Sequence, residues 1–77
     1  MDARVRALLG RRLKVDAPER LDGAAPLRDL GVDSAGLMNL VVALEETYDI
    51  DIADRDITVE NFGTLDAITG YVARRAP

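Results

Sequence analysis

Seventy-seven residues suffice for one small domain and are too few for a second core, so 1–77 reads as a single unit; with 4% aromatic residues and no Trp, that core must be aliphatic. The absence of Cys and His excludes disulfides, zinc sites of the usual kinds and a serine–histidine triad. The net charge of −4 divides into +3 up to Arg28 (seven Lys/Arg against four Asp/Glu) and −7 from Asp29 onward (three against ten), a balance that argues against nucleic acid and either suits basic partner proteins or only keeps the chain soluble.

Met1 is followed at once by Asp2 and Arg4, with no apolar run of signal-peptide or membrane-span length, so a soluble, cytoplasmic protein without a membrane partner is expected. Asp2 can cap a first helix carried to about Lys14 by the stripe Val5, Leu8, Leu9 and Leu13. Arg11, Arg12 and Lys14 crowd its end, where cations complement the helix dipole; an anion-binding patch is the alternative. Gly10 within the stripe costs about 1 kcal/mol against Ala.

Asp16 to Asp33 reads as a long connection inside the domain, broken by Pro18, Gly23 and Pro26. Leu21, Leu27 and Leu30 are spaced through it, which predicts that it lies across the core. Loops of this length in small domains are usually functional. This one delivers Asp33 and Ser34 to the start of the central helix.

That helix is expected from about Ser34 to Tyr48, with Leu37, Leu40, Val41, Leu44 and Tyr48 on one face. Asp33 or Ser34 can cap it, because a short oxygen side chain accepts from the first free backbone N–H groups. The same N–H groups and the positive end of the dipole favour a phosphate. A primary hydroxyl thus stands at an accessible junction that is either only a cap or also a point of attachment. Val32-Asp33-Ser34-Ala35-Gly36 half matches the Gly-x-Ser-x-Gly elbow of hydrolases, but Val32 replaces the first Gly and no imidazole exists to take the serine proton. Met38 and Val42, four and eight residues after Ser34, flank the apolar stripe on the same side. They are either the edge of a wide core face or an exposed docking patch, a role that suits the adaptable side chain of Met. Glu45 and Glu46 oppose the dipole at the helix end, as a solvated face or as contacts for a partner's Arg or Lys.

Asp49, Asp51, Asp54 and Asp56 alternate with Ile50, Ile52 and Ala53 in an acidic loop. The spacing lacks the glycine and the ligand positions of a calcium loop, so no metal is expected, and a lone strand here would have no partner. A short helix or turn follows over about Thr58 to Phe62, anchored by Phe62 and closed by Gly63. Thr64 can cap the last helix, with Asp66 in its first turn, Leu65, Ile68 and Val72 facing inward, and Arg74 and Arg75 at its end. The expected fold is all-α: a small four-helix bundle of three longer helices and one short one, with a long first loop.

Leu30-Gly31-Val32-Asp33-Ser34, the helix end Leu40-Val41-Val42-Ala43-Leu44-Glu45-Glu46-Thr47-Tyr48, Ile50-Asp51-Ile52, and Asn61-Phe62-Gly63-Thr64-Leu65 with Ile68 together resemble an acyl carrier protein over most of the chain after Leu27. The resemblance implies a 4′-phosphopantetheine arm, taken from coenzyme A, on Ser34, with Asp33 orienting the serine region or assisting the transferase's cation site. It implies a protein with no reaction of its own, holding acyl groups as thioesters on a thiol the chain itself lacks. Its partners would be a phosphopantetheinyl transferase and acyl-loading and acyl-processing enzymes of fatty-acid, polyketide or related biosynthesis, met through Met38, Val42, Glu45 and Glu46, with the carrier a discrete monomer. Where such carriers commonly have Leu and two acidic residues after the serine, this chain has Ala35, Gly36 and Asn39. Asp33 before the serine leans away from the peptidyl carrier branch. An aminoacyl or peptidyl carrier, or an unmodified helical interaction module, are the alternatives.

Overall fold

The computed structural model describes residues 2–13 and 20–76. The expectations for the Asp2 cap, for the side chains of Arg12 and Leu13, and for Lys14, Asp16 and Pro18 lie outside the described residues.

Helix α1 (Asp2–Leu13) turns Val5, Leu8 and Leu9 inward, the three- and four-residue spacing giving one buried stripe. Helix α2 (Ser34–Tyr48) packs against it with Leu40, Val41, Leu44 and Tyr48. A single turn, α3 (Val59–Phe62), delivers Phe62 to the core, its ring 5.1 Å from that of Tyr71. Helix α4 (Leu65–Arg75) closes the bundle against α1 and α3. The all-α fold of three longer helices and one short one is the architecture the periodicity predicts, and no strand occurs among the described residues.

Three details differ from expectation. Helix α3 begins at Val59, because Thr58 stands outside it as the cap: Thr58 Oγ1 accepts from the Asn61 N–H at 3.3 Å. Tyr71 joins Leu65, Ile68 and Val72 on the inward face of α4 at 4% exposure, three residues after Ile68 on the same stripe. Leu37 is only half-buried, packed against the rim of the core instead of within it.

The connection lies across the core, as its leucines predict: Leu27 is buried, with Leu21 and Leu30 packed beside it. Within it Leu27–Leu30 form a 3-10 turn that ends at Gly31, whose φ of 89° favours a residue without a Cβ. Long-range bonds hold the segment down. The Leu27 N–H donates to Gly63 O at 2.9 Å, the Asp66 N–H to Gly23 O at 3.0 Å, and the Arg6 guanidinium to Leu21 O. The start of α2 is therefore delivered by a loop fixed to the α3–α4 junction.

Candidate functional site

Asp33 sits in extended backbone immediately before α2. Its Oδ1 accepts from the Gly36 N–H at 2.7 Å, and its carbonyl accepts from the Leu37 N–H at 2.8 Å. Asp33 alone is therefore the cap, and Ser34 is the first residue of the helix; the alternative of a capping Ser34 is corrected. The N–H groups of Ser34 and Ala35 precede the first intrahelical bond and lie at the positive end of a 15-residue helix.

Ser34 is the only serine in the chain, and it is exposed. The two threonines at the other helix starts spend their hydroxyls on structure: Thr58 on Asn61, and Thr64 on the Ala67 N–H at 3.0 Å. The Ser34 hydroxyl bonds to no group among the described residues. It opens instead on a groove of about 410 Å³ between the 3-10 turn, the start of α2 and α3. Leu27, Val32, Leu37, Ile57, Val59 and Phe62 give the groove apolar walls, and Arg28 and Asp33 are its ionic side chains. Gly63 keeps the α3 wall close: a Cβ there would stand 2.5 Å from Val59 O, so the chain turns from α3 into α4 only without one.

The residues expected to meet partners are not gathered in one place. Met38 and Val42 are 46% and 47% exposed along α2, beside exposed Ala35 and Asn39. Between Ser34 and Leu44 the helix carries no charge. Glu45, eleven residues and about 16 Å from Ser34 along the axis, is partly buried, and its Oε2 accepts from the Ile52 N–H at 2.8 Å. Glu46 is exposed.

The acidic loop is a tether. Its Asp54–Asp56 turn places Asp56 Oδ2 2.8 Å from the Tyr71 hydroxyl, which donates to it, and 3.5 Å from the Arg75 guanidinium. Asn61 Nδ2 donates to Asp56 O at 2.9 Å, and Arg75 to Asp51 O at 2.9 Å. These bonds tie the acidic loop to α3 and α4. Burial, and then the bond to Asp56, push the Tyr71 hydroxyl above the ordinary value of 10.0. Burial does the same for Tyr48, partly offset by Arg4, and the Tyr48 hydroxyl has no hydrogen-bond partner among the described residues. Among the described residues no three carboxylates converge as a metal site, and no helix is long and apolar enough to cross a membrane.

Sequence reasoning missed Arg28, Ile57 and Val59 as parts of the groove. Val59 is 83% exposed yet borders it, and Arg28 is among its lining residues. No local pattern marks either, because the groove arises where three distant segments meet.

The arrangement offers an exposed hydroxyl with no internal partner, at the positive end of a helix, beside an apolar groove. Those are the features that attachment of a phosphodiester-linked chain demands. The profile of a family described as "Phosphopantetheine attachment site" matches residues 3–72. The chain is also similar to a solved holo acyl carrier protein from Nitrosomonas europaea, with 29% identity, a TM-score of 0.80, and coverage of 95% of this chain and 90% of that one.

Proposed function

Because the chain belongs to the phosphopantetheine attachment family, as an acyl carrier protein with a covalently bound 4′-phosphopantetheine, we propose that Ser34 Oγ is the attachment atom and that 1–77 works as one cytoplasmic carrier domain. The observation that carries this assignment is the exposed Ser34 hydroxyl, uncommitted where Thr58 and Thr64 are committed.

The chain has no imidazole for the serine proton, and the groove's carboxylate, Asp33, is held at Oδ1 by the Gly36 N–H as the helix cap. The proton therefore leaves to a base of the transferase. Ser34 Oγ forms the new bond to phosphorus, and adenosine 3′,5′-bisphosphate departs from coenzyme A. Asp33 contributes by fixing the first turn of α2, which aims Ser34 outward.

The arm supplies the thiol that the chain lacks and holds acyl groups as thioesters. The domain catalyses nothing; tethering raises the effective concentration of the acyl group at each enzyme it meets. The apolar walls of Leu27, Leu37 and Phe62 beside Ser34 suit the proximal part of an acyl chain, which supports fatty-acid, polyketide or related biosynthesis over aminoacyl transfer. Partner enzymes meet α2 through exposed Met38 and Val42, with Glu46 as the acidic contact. Glu45 contributes less, since its carboxylate is already held by Ile52.

Intact mass after incubation with coenzyme A and a broad-specificity transferase tests the assignment. Wild type gains one pantetheinyl mass and Ser34→Ala gains none. Gain by Ser34→Ala moves the site elsewhere, and no gain by wild type favours the unmodified interaction module that Ala35 and Gly36 would suit.

A further inference from the structure

We propose that Arg28 is the counter-ion of the phosphodiester carried by Ser34, holding the root of the arm against the groove. The proposal rests on Ser34 being the attachment atom. Without the arm, the groove holds one cation and one anion, Arg28 and Asp33. The Asp33 carboxylate is fixed to the Gly36 N–H at 2.7 Å, next in sequence to Ser34. A phosphodiester on Ser34 adds a second negative charge beside it, and like charges this close repel. Arg28 is the groove's means of offsetting that charge.

Arg28 is available for the task. Its side chain is exposed and makes no ion pair among the described residues. Three other arginines are engaged elsewhere: Arg6 on Leu21 O, Arg75 on Asp51 and Asp56, and Arg4 over the Tyr48 ring. The root of Arg28 is also well placed. The preceding Leu27 N–H is bonded to Gly63 O at 2.9 Å, the Leu27 carbonyl accepts from the Val32 N–H at 3.1 Å, and the Arg28 carbonyl accepts from the Gly31 N–H at 3.2 Å. A long side chain thus starts from a fixed point on the groove that Ser34 also lines. Its planar guanidinium can give two parallel N–H bonds to phosphate oxygens, which an ammonium cannot.

The test compares apo and holo forms of wild type, Arg28→Gln and Arg28→Lys by nuclear magnetic resonance, with amide spectra confirming that each folds. In wild type the Arg28 Nε–Hε resonance shifts on loading, and the shift disappears near 1 M salt, where screening acts over about 3 Å. The phosphorus relaxation of holo Arg28→Gln shows a more mobile phosphodiester, and Arg28→Lys restores part of the lost order. An Arg28 resonance that ignores loading, or unchanged phosphorus relaxation in Arg28→Gln, overturns the proposal. A slower transferase with an unchanged phosphorus signal also overturns it, placing Arg28 at the enzyme interface. Failure of wild type to load at Ser34 is a different result, and it overturns the attachment site itself.

Discussion

At its start α2 is fastened by one side-chain bond, donated by the Gly36 N–H to Asp33, and Ser34 and Arg28, which line the same groove, have side chains with no partner among the described residues. Its finish is different. Glu45 binds the Ile52 N–H, Arg75 reaches Asp51 O and Asp56, and Tyr71 donates to Asp56, whose carbonyl also takes Asn61. Glu45 at the finish is consumed in holding the acidic loop, while Ser34 and Arg28 at the start are left uncommitted. Each internal hydrogen bond contributes about 1 kcal/mol to stability, so a small domain that forgoes such bonds at Ser34 and Arg28 leaves those groups open to something outside itself.

Phe62→Ala breaks the comparison most severely, because Phe62 is both core at 2% exposure and a wall of the groove. Its loss should cost about 3–5 kcal/mol, a large share of the stability of a domain this size. A thermal melt checks it; a fall of only a few degrees would show that the groove can collapse without it.

Asp33→Ala and Tyr71→Phe sharpen the contrast, since each removes one bond, the first at the start of α2 and the second between α4 and the acidic loop. Denaturant titration should give each a loss of about 1 kcal/mol, but only Asp33→Ala should slow the loading of Ser34. The two also separate by pH. Tyr71 has its pKa raised in the folded state by burial and by its bond to Asp56, so the neutral hydroxyl is favoured. Its contribution is complete below the ordinary value of 10.0 and is lost as pH rises above it. Tyr71→Phe should flatten the alkaline fall in stability, leaving the share due to Tyr48, and Asp33→Ala should keep it whole.

The smallest stability effect belongs to Met38→Glu and Val42→Glu, because both side chains are about half exposed. Melting should change by no more than about 0.5 kcal/mol, while acyl loading slows as charge enters a neutral stretch of α2. A large fall in melting temperature would show that these residues are core and remove them from the docking surface.

The bounds of α2, the cap at Thr64, and the inward stripes of α1 and α4 were legible because a helix is a local structure. Its periodicity and its first free N–H groups are satisfied by residues three and four positions apart. Ser34 was legible for the same reason, as a hydroxyl at a helix start. Its role relative to Asp33 was not, since either side chain could cap and only the geometry of the turn chooses between them. Tertiary structure alone decided that Glu45 is spent on Ile52, that Tyr71 is buried against Asp56, and that Arg28 shares a groove with Ser34. Leu27 and Gly63, which set that groove, are 36 positions apart and meet through one backbone bond of 2.9 Å. Backbone groups are alike in every residue, so no side-chain pattern announces which distant pair will meet. Packing of the buried faces makes that choice, and with it the surroundings of Ser34.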